Sequence, residues 1–244
     1  MTDAPWTRLF ARIAMWLAII ALVVAGVGVT LARYDLIAKI AGLYAMAGGA
    51  FLATLAALIA LVALFLNMRW RAGVGIMAGV ALVIGGGYCG FMVSRMVVAS
   101  KVPAIHDITT SLADPPQFTH LRVRADNLVG VGTVEHWREL HGAAYALRPI
   151  MLRQPVATVI ANAERLARAR GWDIAVADPA TGRLEATATV SFIRFEDQVV
   201  LRVTPMPDGS GSVVEMRSVS KIGVSDLGVN ARRISEFLTA LSAA

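Results

Sequence analysis

Glu185, Arg202, Glu215 and Arg217 interrupt runs that otherwise alternate apolar and polar residues, and Arg217 leads into Lys221 and a loop from Gly223 to Gly228. Ser225 and Asp226 stand just before a helical pattern, and Arg232 and Arg233 fall near its N-terminus. The helix dipole disfavours cations there, so these arginines need acidic partners or an anion. Two arrangements fit. One is a cross-strand ladder of ion pairs that ties strand to loop. The other is an anion pocket, in which backbone N–H groups with Arg217, Lys221 and Arg233 hold a phosphate, a carboxylate or a lipid headgroup. Asp107 can pair with one of the arginines in either arrangement. The candidate ligand-binding set is therefore Asp107, Glu185, Arg202, Arg217, Lys221, Asp226 and Arg233.

Other spacings fit known chemistry but not its context. Gly85-Gly86-Gly87-Tyr88-Cys89-Gly90 has the G-x-G-x-x-G spacing of dinucleotide sites, yet it lies inside an apolar stretch with no strand before it. Ser218-Val219-Ser220-Lys221 matches S-x-x-K and is followed by Ser225-Asp226. On a strand, positions three apart face opposite sides, so serine and lysine would not share a cleft. His136, Glu139 and His141 suggest zinc, but on a helix the two histidines point about 140° apart. Cys89 is the only cysteine, so neither a disulfide nor a thiol-ligated metal site is expected in the C-terminal part. No cofactor, metal or catalytic residue is expected.

These residues need elements to hold them. From Arg95 to Phe118 the chain reads as an extended arm, with Pro115-Pro116 disfavouring helix. Residues 119–154 carry little pattern beyond a short helix, Val134 to His141, capped by Thr133 and stopped by Gly142. A helix from Pro155 to Arg170 places Val156, Val159, Ile160, Ala163, Leu166 and Ala167 on one face, and Gly171 ends it. Strands follow at Trp172–Val176, Leu184–Phe195, Val199–Thr204 and Ser212–Ser220. The turns between them fall at Asp178–Gly182, Glu196-Asp197 and Pro207–Gly211. A last helix, Gly228 to Ser242, presents Ala231, Ile234, Phe237, Leu238 and Leu241. Short hairpins are antiparallel. The expectation is a two-layer α+β domain over residues 104–244: an antiparallel sheet of four strands, or five with Ile105–Thr110, packed on two helices.

The preceding residues belong to a different solvent. Residues 13–32, 40–66 and 73–94 contain no Asp, Glu, Lys, Arg or His. Each stretch can span the roughly 30 Å hydrocarbon core at about 1.5 Å per residue, which makes residues 1–94 a membrane domain and 95–103 a linker. The first stretch is too long for a signal-peptide core and lacks a cleavage site before Arg33, so it reads as a retained anchor. Spans without ionisable groups argue against a transporter or pump. Gly75-x-x-x-Gly79 and Gly86-x-x-x-Gly90 predict close packing within the three-helix set, or self-association through the third span.

The net charge of +6 belongs to this part. Residues 1–100 hold seven Lys and Arg against two Asp and Glu, and residues 101–244 sixteen against fifteen. That distribution gives no footprint for nucleic acid and suits anionic headgroups at the membrane flanks. Arg8, Arg12, Arg69 and Arg71 on one side balance Arg33, Lys39, Arg95 and Lys101 on the other. The Arg69-Trp70-Arg71 loop, with Asp35 diluting the opposite side, favours a cytoplasmic N-terminus.

Several runs carry a family likeness: His106-Asp107-Ile108-Thr109-Thr110 with Pro115-Pro116-x-Phe118, Glu185-Ala186-Thr187, and a longer one from Arg217-Ser218-x-Ser220-Lys221 through Gly223, Ser225-Asp226-Leu227-Gly228 and Asn230-Ala231 to Arg233-Ile234. Over roughly residues 104–241 the chain resembles domain of unknown function 1499, and its three preceding spans are similar to those of bacterial membrane-bound members. The resemblance implies a bacterial inner-membrane protein with its domain in the periplasm. It brings no established activity. The family's aspartate near the middle hairpin stands here as Asp197, followed by Gln198 where a second acid is common. The expected role is non-catalytic: a domain that binds an envelope protein or an anionic lipid or metabolite, beside membrane lipid. The alternatives are a hydrolase or transferase using Asp107, Glu185 and the Arg217–Arg233 cluster, and a lipid carrier with an apolar cavity.

Overall fold

The computed structural model describes residues 5–70 and 73–244. Arg71, which enters the charge balance above, lies outside them. The chain divides into two compact units, Met1–Ala99 and Ser100–Ala244.

In the first unit, α1 (Pro5–Arg33), α2 (Lys39–Trp70) and α3 (Gly75–Ala99) are each long and apolar enough to cross a membrane. They run beyond the uncharged stretches, since flanking Arg, Lys and Trp side chains leave the internal backbone bonds intact. The Asn67 carboxamide, near the end of α2, accepts the Val74 N–H at 3.1 Å, just ahead of α3.

Small residues make the seams. Ala11, Ala14, Ala18 and Ala21 of α1, Ala53, Ala56, Ala60 and Ala63 of α2, and Ala78, Ala81 and Gly85 of α3 are buried. A Cβ at Gly85 would stand 2.6 Å from the Ala53 carbonyl oxygen, and one at Gly49 2.8 Å from that of Ala21. The glycines singled out by spacing behave differently. Gly75 meets only Asn67, while Gly79, Gly86 and Gly90 touch neither neighbouring helix. Trp16, Phe51, Leu58, Phe65 and Val83 turn outward. Large apolar side chains outside and alanine inside suit lipid as the solvent.

The second unit contains β1 (Asp107–Thr109), α4 (Val134–Ala144), β2 (Ile150–Leu152), α5 (Val156–Ala169), β3 (Asp173–Asp178), β4 (Arg183–Val190), β5 (Phe195–Pro205), β6 (Ser212–Ser220) and α6 (Val229–Ser242). Among the described residues the strands form one antiparallel six-stranded sheet, in the order β1-β6-β5-β4-β3. The sixth strand, β2, pairs antiparallel with Ser212–Val214 on the edge of β6 whose other end holds β1. Three residues inside an unpatterned stretch carry too little periodicity to reveal β2. The architecture is α+β: three long apolar helices, then a helix-backed antiparallel sheet.

α5 and α6 lie on one face of the sheet. Val159, Ile160 and Ala163 from α5 and Ile234, Phe237 and Leu241 from α6 join Leu184, Ala186, Val199, Leu201, Val214 and Met216 in the main core. Trp172 stacks on Phe237 with ring centroids 4.8 Å apart. Burying such side chains contributes roughly 1.5–3 kcal/mol each.

Two boundaries differ from expectation with consequences for the site. Helix α4 passes Gly142 to Ala144, and the Tyr145 N–H closes it on the His141 carbonyl. The middle hairpin turns at Ser191–Arg194, not at Glu196-Asp197. Ser191 and Arg194 take φ of 63° and 62°, and buried Ile193 anchors the turn. That segment has no Gly, Pro, Asn or Asp and follows an alternating run, so it reads as strand. Asp197 consequently sits inside β5, opposite Ser220, with its side chain in the core phase of Val199 and Leu201.

Candidate functional site

On the sheet face away from α5 and α6, alternation aligns Arg183 and Glu185 of β4, Arg202 of β5, Glu215 and Arg217 of β6 and Asp107 of β1. Arg217 makes a two-pronged pair with Asp107, Nε to Oδ1 at 2.9 Å and Nη2 to Oδ2 at 2.6 Å. Both residues are buried. The guanidinium also donates to the Pro116 carbonyl and lies 5.8 Å from the Phe118 ring centroid. The Asn127 amide donates to Asp107 at 2.5 Å. Arg202 pairs with Glu215 directly across the strands at 2.6 Å and with Asp114 at 2.8 Å. The arm between Asp114 and Leu121 thus covers this face, and its carbonyls answer the arginines.

Glu185 is fully buried beneath that arm. Its Oε1 accepts from the backbone N–H and the hydroxyl of Thr119, and Oε2 from the N–H groups of His120 and Leu121. Burial pushes its pKa up, but these donors outweigh burial and hold it below the ordinary glutamate value. The successive N–H groups form an anion-binding turn, and the anion is the protein's own carboxylate.

The helix-backed face carries a second network. Arg233, on α6, donates to Asp197 at 2.6 Å, to the Ser218 hydroxyl at 2.8 Å and to the Asn230 side-chain oxygen. Asn230 is fully buried, receives the Ser218 hydroxyl proton at 2.6 Å, and donates to Ser220 Oγ and the His106 carbonyl. Asp226 accepts from the N–H groups of Gly228, the N-cap residue of α6, and Asn230 in its first turn, so it satisfies the helix start from two residues upstream. Burial drives its pKa up despite those bonds. Near β1, burial also lowers the His141 pKa and pushes Tyr145 up to about 12.

The structure brings together Asp107 with Arg217, and Arg202 with Glu215. It does not bring Arg217, Lys221 and Arg233 into one pocket. Arg217 and Ser218 are adjacent on a strand and face opposite sides, and Arg233 bonds to Ser218. Lys221 is half-exposed and pairs with Glu196 at 2.6 Å. Asp197, Ser218, Asn230, Asn127 and the Pro116 carbonyl are participants outside the candidate set. The available signal was phase: Asp197 and Ser218 occupy core positions of their strands, and Asn230 and Arg233 interrupt the apolar face of α6.

The remaining motifs fall apart in space. Ser218 is buried in the Arg233 network while Lys221 points to Glu196, so no nucleophile–base pair forms. His136 is exposed beside Glu139, whereas His141 is buried and accepts the Thr109 N–H at 3.1 Å. Among the described residues no group of three or more His, Cys, Asp or Glu is placed to hold a metal ion. Gly85–Gly90 lies within α3.

Fold and site together define an α+β domain, carried behind three helices able to cross a membrane, whose buried arginines are paired with buried aspartates on both faces of one sheet. Residues 107–241, more than half of the chain, match the family model described as Protein of unknown function (DUF1499), and the chain belongs to that family. No curated protein matches the chain.

Proposed function

We propose that this is a multi-pass protein of the bacterial inner membrane, with a cytoplasmic N-terminus and a periplasmic domain that serves as a non-catalytic binding module for a protein of the cell envelope. One observation carries the non-catalytic reading: the acids and bases that chemistry would need are already spent on each other. Asp107 neutralises Arg217, Asp197 neutralises Arg233, and Glu185 fills its own nest of N–H groups. A hydrolase or transferase needs at least one such group free and facing a substrate. The same pairing favours a protein partner over an anionic envelope molecule, because an anion would have to displace a buried carboxylate.

Open space beside Gly79, Gly86 and Gly90 of α3 supports self-association through that helix. The test is a pull-down of the detergent-solubilised chain with protein and lipid analysis of what co-purifies. A stoichiometric envelope protein supports the module. Recovery of the chain alone, with a melting temperature raised by phosphate or headgroup analogues, favours the anion pocket instead. A reporter active only outside the cytoplasm, fused after Ala244, reads the orientation.

A further inference from the structure

Two adjacent loops of the second unit display apolar side chains where the chain comes in from α3. In the first, Ile222, Val224 and Leu227 are 45%, 42% and 47% exposed. The one charged residue between Ile222 and Gly228 is Asp226, and it is buried. In the second, Asn127–Val134, there is no charge at all, and Val129 is 38% exposed. The loops touch: a Cβ added to Gly130 would run into the Val224 side chain.

The first loop lies against the incoming segment, and Asn127 of the second donates to Asp107 just beyond it. Asp226 N–H donates to the Ile105 carbonyl, the His106 ring bonds the Val224 carbonyl at 3.2 Å, and Val102 packs where a Gly228 Cβ would be. Leu227 adopts φ of 55°, a left-handed conformation that costs a leucine roughly 1–2 kcal/mol. That strain serves no burial, since the side chain it displays is half in solvent. Strain of this kind concentrates at functional positions, although it also occurs in plain turns such as Ser191–Arg194.

We propose that the tips of these loops insert into the headgroup layer of the bilayer that the chain itself crosses. Chain length supports this occupant over any other. Only Ser100 and Lys101 separate Ala99, the end of α3, from Val102, a span of about 10 Å at full extension. Ala99 lies a further 7 Å or so along the helix from Ser94, where the uncharged stretch ends. The loops are thus tethered within a short reach of the lipid. Exposed Arg95 and Lys101 on the same tether attract anionic headgroups, and apolar tips without an exposed charge suit the interfacial layer. The acids that border the second loop are Asp126, paired with Arg124 at 2.6 Å, and Glu135. The inference needs the three helices to span a bilayer, but not a particular side, because both leaflets present headgroups.

The test uses the full chain with Cys89→Ala, reconstituted in phosphatidylethanolamine–phosphatidylglycerol vesicles. Leu227→Cys or Met151→Cys carries an environment-sensitive dye. Met151, 75% exposed, pairs with Val213 at the far end of β6 and is the water-facing control. Circular dichroism and melting temperature matching the Cys89→Ala parent establish the fold. The Leu227 probe is expected to shift to the blue and to be quenched by shallow spin-labelled lipids at least about twofold more than the Met151 probe. A second variant, Leu227→Asn, tolerates the left-handed backbone and is expected to reduce quenching at a Val224→Cys probe without lowering the melting temperature. Equal quenching at Leu227 and Met151 overturns the proposal. So does a Leu227 probe shielded from water but not reached by lipid quenchers, which would mean that a protein or a second copy covers the loops.

Discussion

Arg217 and Arg233 lie on opposite faces of one sheet, and each is matched by a buried aspartate from another element. Removing one partner strands a charge out of water, whereas removing both leaves a neutral interior. Asp107→Ala is therefore expected to destabilise the fold by about 3–5 kcal/mol, and Asp107→Leu with Arg217→Met to recover most of it. Unfolding midpoints of the single and double variants check this, and a double variant as unstable as the single one would deny the pair its simple structural role. Glu185 adds a pH dependence. A carboxyl whose folded-state pKa is depressed stabilises the fold above its unfolded value, near 4.5, and that contribution is lost as pH falls through the folded value. Gln at 185 would set an amide against N–H donors, at a cost of about 2 kcal/mol at neutral pH. The gap between Glu185→Gln and the parent is expected to close as pH drops below 4.5, and a gap independent of pH would contradict the carboxylate's role.

Among the elements, helix periods were legible and strand ends less so. The apolar faces of α5 and α6 were readable because a 3.6-residue repeat over fourteen residues is hard to produce by accident. β2 and the turn at Ser191–Arg194 were not, because three residues hold no period and that turn has no Gly, Pro, Asn or Asp. The turn mattered most, since moving it by a few positions turned Asp197 from an exposed loop acid into the buried partner of Arg233. In the membrane half, the seam within the three helices uses Gly49 and Gly85, which lie outside the two glycine spacings. Gly85, not Gly86, faces Ala53, so Gly85→Val is expected to loosen the three-helix unit while Gly86→Val leaves it intact. Melting in detergent, followed by helical circular dichroism, distinguishes them. Equal loss in both variants would refute this packing.

At the scale of the whole molecule, a three-helix unit with alanine seams and outward aromatics precedes a domain with an ordinary apolar core. Such a chain is expected to stay with the membrane pellet through an alkaline carbonate wash and to be released by detergent. Recovery in the supernatant would mean that the three helices do not span lipid.

Solvent preference was readable from the residues alone, because long uncharged stretches and periodic apolar faces are properties of the linear chain. So were the family and the α+β class. The identity of each ion pair was decided only by tertiary structure. Aspartates 107 and 197 reach their arginines across 110 and 36 residues, and which face of the sheet each one occupies depends on strand register, where a shift of one residue inverts every side chain.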